Sequence, residues 1–263
     1  MIKRPYEGIR KEVTNVLKPL IDISGSYHAT HAKRHARTLE VLLDAGISGK
    51  VLELGTSDVI PISLNKLVSG LDIHVTDFNL NNPEVGTLTL KAGEEELNVT
   101  SYSVDLESTP IPVEDSTFDY VICSEVIEHM DVDPMYMLSE VNRVLKYGGK
   151  LVLTTPSCVG TRAIWKVLRG YEPYFYMQYH KDRNPYRHNY EYSPITLDAV
   201  IKAAGFSVNL WTENNFEDPV LEDFPRLEIA GYTYDESMLG DNIFVVGTKT
   251  SKVLDRHPSV IYV

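Results

Sequence analysis

The chain has 263 residues, 43% of them hydrophobic, with 25 Lys plus Arg against 37 Asp plus Glu and a formal charge of −12. That length and balance fit a folded chain with a sizeable core and exclude global disorder, and the acidity disfavours nucleic acid as a partner because it repels phosphate backbones. Two cysteines exclude a disulfide scaffold or Cys-rich zinc module, no apolar run approaches the roughly 18 residues of a membrane span, and the basic start MIKRPYEGIRKE lacks a signal peptide's apolar centre, so a soluble cytoplasmic protein is expected.

The first 45 residues read as helices. Val13, Leu17, Leu20 and Ile21 recur at helical spacing, and Leu39 with Val41 to Leu43 forms a second cluster before Gly46. Strands then alternate with helices: 50–54 (KVLEL), 71–76 (LDIHVT), 99–104, 118–123 (FDYVIC) and 150–155 (KLVLTT). Between the last two lies a helix over 134–145. A helix over 194–204 and strands over 206–211 and 242–247 complete seven strands. The pattern predicts an α/β fold with a doubly wound, Rossmann-like, mostly parallel seven-stranded sheet. It reads as one domain: helices over 1–46, a core over 47–158, an inserted aromatic cap over 159–193, a helix and strand pair over 194–250, and a tail over 251–263.

Ligands of such sheets sit at the strands' carboxyl ends. Found there are Glu53 to Asp58 (ELGTSD), Asp77, Asp105 with Leu106, and Ser124 with Glu125. Two acids at successive strand ends suit a nucleoside, whose ribose diol and adenine amine donate hydrogen bonds. Neither GxGxxG nor GxxxxGK[ST] occurs, which weakens dinucleotide and nucleoside-triphosphate readings. The competing reading is ordinary turn chemistry of Asp.

The series VLELGTSD, VTD, VDLE, FDYVICSEVIEHM and LSEVNRVLKYGGKLVLTTPS resembles, in order and spacing, the motifs of class I S-adenosylmethionine (SAM) methyltransferases. The resemblance implies that Glu53, Gly55 and Thr56 line the methionine end of SAM, that Asp77 holds the ribose, that Asp105 with Leu106 takes the adenine, and that Ser124 is a further cofactor-binding residue. The first motif departs from the family's two or three glycines, since Thr56, Ser57 and Asp58 follow Gly55. That departure motivates an alternative, a catalytically silent fold that binds a partner. A looser similarity, in PYRHNYEYSPITLDAVIKAAGF and DRHPSVIYV, is to methyltransferases of bacterial glycan and natural-product biosynthesis.

Glu125, Glu128 and His129 stand at i, i+3 and i+4 and share one face if the segment is helical. With His188 from the tract Arg187 to Tyr192, they resemble the magnesium site of small-RNA 2′-O-methyltransferases, and ubiquinone-pathway O-methyltransferases carry a similar stretch. The resemblance implies a divalent cation, Mg2+ or another, chelating two acceptor hydroxyls, with His129 and Glu125 as catalytic groups. The bland reading has Glu and His holding the cofactor loop or His129 acting as a simple base. Three further histidines, His28, His31 and His35, lie at i, i+3 and i+7 among Lys33, Arg34 and Arg37, and read as a solvated polar face; His74, Cys123 and Cys158 read as structural.

Nine of the chain's 25 aromatics fall between Trp165 and Tyr192, interleaved with Arg and Lys. Tyrosine suits amphipathic ligands, so Tyr186, Arg187, His188 and Tyr192 are acceptor-binding candidates. The same tract equally suits a satellite core or the interface of a homo-oligomer. The expected activity is O-methylation of a small hydroxylated acceptor, a sugar or glycan precursor. RNA 2′-O-methylation is the rival that the −12 charge opposes.

Overall fold

A computed structural model describes residues 6–24, 26–79, 82–173, 187–214 and 238–263. The lead forms α1 (Tyr6–Ser24), α2 (Ser26–Thr30) and α3 (Ala32–Asp44). Val13, Leu17, Leu20 and Ile21 of α1, and Leu39, Val41 and Leu42 of α3, are buried, as their spacing on one helix face requires. Alternation follows: β1 (Lys50–Leu54), α4 (Val59–Leu67), β2 (Asp72–Asp77), β3 (Val85–Ala92), β4 (Glu95–Ser103), β5 (Phe118–Ser124), α5 (Pro134–Val144) and β6 (Leu145–Pro156). The chain continues through α6 (Thr161–Leu168), α7 (Pro194–Ala203), β7 (Phe206–Glu213) and β8 (Asn242–Lys249).

Among the described residues the sheet has eight strands in the order β3-β4-β2-β1-β5-β6-β8-β7, one more than expected. The additional strand is β3, an antiparallel partner of β4 in register from Val85↔Tyr102 to Ala92↔Glu95. It lies at the sheet edge and most of its side chains reach solvent. Strands β4, β2, β1, β5 and β6 run parallel, and β8 is antiparallel to both β6 and β7.

Side chains alternate between the sheet's faces. Leu52, Val121, Cys123, Leu151, Leu153 and Val245 face α5 and α7, where Met135, Leu138, Leu197 and Val200 cover them. Val51, Tyr120, Ile122, Val152 and Phe244 point the other way, onto the apolar faces of α1, α3 and α4. Both faces are covered, as a parallel sheet demands. The parallel strands leave their carboxyl ends along one edge, and successive strands step outward in opposite directions from β1 and β5. A crevice at that switch point is the fold's natural ligand site.

The C-terminal segment is tied to the start of α5 by one carboxylate. Asp133 caps the helix by accepting from the Tyr136 N–H at 3.0 Å, with Pro134 at the first helical position. The same side chain accepts from both Arg256 terminal nitrogens, at 2.9 and 2.5 Å, and from the Tyr262 hydroxyl at 2.5 Å. Partial burial alone would raise its pKa, but the bonds from Arg256 and Tyr262 win and hold it at about 2. Its stabilisation is therefore present above the ordinary carboxylate range and is lost as pH falls toward 2. Asp133→Ala should cost about 1–3 kcal/mol by urea denaturation at neutral pH, an order set by lost caps and charged hydrogen bonds. It should also flatten the acid limb of stability below pH 4, and an unchanged acid limb would refute the assignment.

Candidate functional site

A cavity of about 1460 Å³ opens at the strand ends. Its described walls come from α2–α3, the loops after β1, β4 and β5, α6, and the segment preceding α7. Six of the seven candidate cofactor residues line it: Glu53, Gly55, Thr56, Asp105, Leu106 and Ser124. Asp77 ends β2 between two lining residues, Thr76 and Phe78. Its carboxylate folds back, accepting from the Asn79 N–H at 3.0 Å and the Asn82 amide at 2.8 Å. Asp105 likewise accepts from the Glu107 N–H and the Ser108 hydroxyl, at 3.0 and 2.8 Å.

The loop after β1 is stitched to β2. The Gly55 N–H donates to Thr76 Oγ1 at 2.8 Å, and the Thr56 hydroxyl donates to the Thr76 carbonyl at 3.0 Å. Gly55 has φ +67° and Asp58 has φ +52° with ψ −53°. That pair lies outside the left-handed helical well, in the sparsely populated region of the γ-turn, so Asp58 takes a backbone turn usually left to glycine. Glu53, 1% exposed, accepts from the Ser57 hydroxyl at 2.7 Å and faces the same loop. Burial, only partly offset by Ser57, pushes its pKa up to about 8.

Three of the four candidate metal ligands meet. Glu128, His129 and His188 bring one ligand atom each to within 4.8 Å of the others. The expected helix is instead a 3-10 turn over Ile127–His129, and Glu125 precedes it with φ +56°. Glu125 is therefore not on a shared helical face with the other two, which corrects its place in the metal set. Its carboxylate turns to Arg34 Nη1 at 2.9 Å and accepts from the Asn242 amide at 3.0 Å.

Each member of the triad is anchored from behind. Thr155 donates to Glu128 Oε2 at 2.9 Å. His129 Nδ1 lies 3.1 Å from the Arg187 carbonyl, which can only accept, so this nitrogen carries the proton. His188 Nδ1 meets the Glu191 carboxylate at 2.9 Å. The distant tract is held in place by Asn189 and Tyr190 N–H groups, both donating to the Glu128 carbonyl, at 2.8 and 3.2 Å. Glu128 is fully buried, and among the described residues its Oε1 has no hydrogen-bond partner; it faces His129 Nε2 at 4.0 Å. Burial, then the charge of Glu125, raises the Glu128 pKa well above the ordinary range. Burial also lowers that of His129, which keeps the ring neutral at neutral pH.

The N-terminal histidine face is not solvated, contrary to its polar composition. His28, His31, Arg34 and His35 all line the cavity, and Arg34, His35 and Arg37 are buried. Arg37 pairs with Glu40 and with Glu213, the latter at 2.5 Å. Burial, then the charge of Arg34, lowers His31 to about 4 and His35 to about 3. The sequence flagged this face by its spacing, but a cavity wall and a solvated surface have the same composition. Arg34, Asn242, Thr155 and Glu191 are the residues of this neighbourhood that motif reading passed over.

Of the acceptor candidates, Arg187 and His188 line the cavity. Tyr192 does not: it is 1% exposed, packed in the core under α7 and edge-on to Tyr190 at 4.7 Å, which corrects its assignment to the acceptor. Tyr186 lies outside the described residues, as does most of the aromatic tract. Among the structural assignments, His74 is buried between Tyr102 (2.8 Å) and Asp72 (3.1 Å), and Cys123 is fully buried. Glu53 gives this site a pH signature. Between the carboxylate's ordinary pKa and about 8, the folded chain holds a proton that the unfolded chain has released, so stability must fall as pH rises. Urea denaturation from pH 5 to 8 should show that decline in the wild type and a shallower one in Glu53→Gln; parallel curves would refute it.

Residues 52–153 match the sequence family described as a methyltransferase domain. Among curated proteins, the chain is similar to demethylmenaquinone methyltransferases of Bacillus cytotoxicus (29% identical over 130 residues) and Clavibacter sepedonicus (34% over 106 residues). The matches cover 47% and 40% of this chain and only 53% and 40% of those relatives. Among solved structures, a SAM-dependent methyltransferase of Archaeoglobus fulgidus aligns over 87% of this chain and 96% of its own, with TM-score 0.56 and 16% identity. Phosphoethanolamine N-methyltransferase 2 of Haemonchus contortus, in complex with phosphomonomethylethanolamine and S-adenosylhomocysteine, aligns over 92% of this chain and 60% of its own, with TM-score 0.54 and 16% identity. The chain has the fold of class I SAM-dependent methyltransferases, and its segment 52–153 matches the methyltransferase-domain family by sequence.

Proposed function

We propose that the chain is a SAM-dependent O-methyltransferase acting on a small hydroxylated acceptor, such as a sugar or glycan precursor. The observation that carries this reading is the convergence of Glu128, His129 and His188 on the cavity lined by the strand-end residues. In it, Asp105 and Leu106 take the adenine and Asp77 the ribose, each carboxylate still having lone pairs beyond its loop donors. Glu53, Gly55, Thr56 and Ser124 border the methionine end. The relatives' names give them unlike acceptors, demethylmenaquinone and phosphoethanolamine. The acceptor is therefore argued from this chain's own polar cluster.

SAM supplies an activated methyl, so the protein must align the acceptor and manage one proton. The acceptor oxygen attacks the methyl carbon as the carbon–sulfur bond breaks toward sulfur, leaving a methyl ether and S-adenosylhomocysteine. The hydroxyl proton passes to His129 Nε2, whose lone pair is fixed by the Nδ1–H bond to Arg187.

The same three side chains also fit a divalent ion. An orphaned buried carboxylate oxygen and two imidazoles, each with its other polar atom anchored, are the donor set and outer shell such sites use. With Glu125 engaged elsewhere, two nitrogens and one oxygen suit zinc or a similar ion better than Mg2+, which prefers oxygen. Bound there, the ion would occupy the His129 Nε2 lone pair, and so would take the place of His129 as base by acidifying and aligning neighbouring acceptor hydroxyls.

The test is methyl transfer from SAM to a panel of vicinal diols, catechol and simple sugars included, followed by release of S-adenosylhomocysteine and by bound-metal analysis. His129→Ala should lower turnover by about 10²- to 10⁴-fold while S-adenosylhomocysteine affinity stays within a few-fold. Glu128→Gln and His188→Ala should deplete bound metal. Activity indifferent to chelators would remove the metal and leave His129 as base. Failure to bind SAM at millimolar concentration would replace the enzyme with a silent binding protein.

A further inference from the structure

Glu107 joins two walls of the cavity that the motif series leaves separate. It lies in the loop after β4, two residues beyond Asp105, and lines the cavity with it. Its carboxylate reaches the loop between the 3-10 turn and α5. Oε1 accepts from the Val132 and Asp133 N–H groups at 2.7 and 2.8 Å, and Oε2 accepts from the Asp131 N–H at 3.0 Å. Three successive N–H groups converging on one anion form a backbone nest, and charge makes each of these bonds stronger than a neutral one. Strands β2 and β1 separate β4 from β5, so the sheet itself does not join the two loops.

Each end of the contact is fixed to a different part of the site. On the β4 side, the Glu107 N–H donates to Asp105 Oδ1 at 3.0 Å, so the backbone that carries Glu107 also orients the carboxylate proposed for the adenine. On the other side, Asp131 follows His129 by two residues, and both line the cavity. The 3-10 segment that carries His129 is a single turn, with the His129 N–H donating to the Val126 carbonyl at 3.0 Å. A single turn has little stability of its own. Its position is therefore set from outside, by Asn189 and Tyr190 at the Glu128 carbonyl and by Glu107 at the loop that leaves it.

We infer that Glu107 is a positioning residue that couples the cofactor end of the cavity to the turn bearing His129. Adenine held at Asp105 and Leu106 favours the state seen here, with the 131–133 loop on Glu107, over the state in which that loop opens. A chain with its cofactor bound then presents a fixed His129 to the acceptor, and by linkage an acceptor at His129 favours cofactor binding by the same factor. The inference rests on the SAM reading above and adds to it a carboxylate to which that reading assigns no ligand.

The test is amide hydrogen exchange at residues 131–133, with and without S-adenosylhomocysteine, in wild type and in Glu107→Gln. In wild type, saturating ligand should slow these amides by about 5- to 100-fold, the usual size of a coupling between sites. In Glu107→Gln, whose amide nitrogen cannot accept, they should exchange faster and lose the response, while S-adenosylhomocysteine still binds. Its affinity should fall by no more than the factor lost, because the coupling is reciprocal. Slowing that persists in the variant would show a ligand that merely covers the loop and would overturn the inference, as would wild-type amides indifferent to bound ligand. If Glu107→Gln fails to fold, Glu107→Asp keeps the charge one methylene short of the three N–H groups and should lose the response too. A wild type that binds no S-adenosylhomocysteine at millimolar concentration would overturn the cofactor reading and, with it, the inference.

Discussion

The ion pair between Arg34 and Glu125 joins two parts of the chain that are 91 residues apart. On one side is a helical lead whose packing depends on Leu39, Leu42 and their partners in α1; on the other is the residue that ends β5 at the floor of the cavity. Both side chains are nearly buried, at 9% and 11% exposure. A buried pair gains little net stability, because its attraction is largely spent on desolvation. Losing one partner is costly, since the other charge is then stranded. An interaction of that kind fixes geometry more than it stabilises. Here it holds Glu125 in a positive-φ conformation, with Asn242 bonding the second carboxylate oxygen. The position of Glu125 in turn leaves Glu128 and His129 to face His188 without it.

Much of this was legible in the sequence, and the failures share a physical cause. The strands of the parallel core announce themselves because they are buried on both faces, and runs such as VLEL and YVIC have no other use. Strand β3 was silent because it is an edge strand whose inward positions, Leu88 and Leu90 among them, are few and whose outward positions carry Lys and Thr. The shared face of Glu125, Glu128 and His129 holds only if the segment is helical, because residue spacing assumes helical φ and ψ throughout. A single left-handed Glu125 breaks that assumption, and nothing in its residue type signals it. Tyr192 failed in the opposite sense: tyrosine at a ligand-like position served the core instead.

The histidine face shows a limit of composition. His28, His31, Arg34 and His35 resemble a wet surface because a polar cavity and bulk solvent select the same side chains. Burial distinguishes them, and burial is a property of the fold. It also changes the chemistry. Histidines that would titrate near neutrality in water are held neutral, so the permanent charge on that wall belongs to Arg34.

The same reasoning revises the chain's acidity. A formal charge of −12 counts all 37 carboxylates as ionised. Glu53, raised to about 8, is largely protonated at neutral pH, and burial also raises Glu128 well above its ordinary range. The acids nearest the proposed chemistry thus contribute least to the outside field that opposes nucleic acid. They are poised for a cation that would make their ionised forms favourable. In the proposed reading, such a cation for Glu53 is the ammonium or sulfonium of SAM, and for Glu128 a divalent ion shared with two imidazoles. An acid kept neutral by burial is costly to ionise, and that cost is subtracted from the net binding of any cation it pairs with. Burial therefore keeps Glu53 from adding to the negative charge that the chain presents to its surroundings near neutral pH, although the formal count includes it.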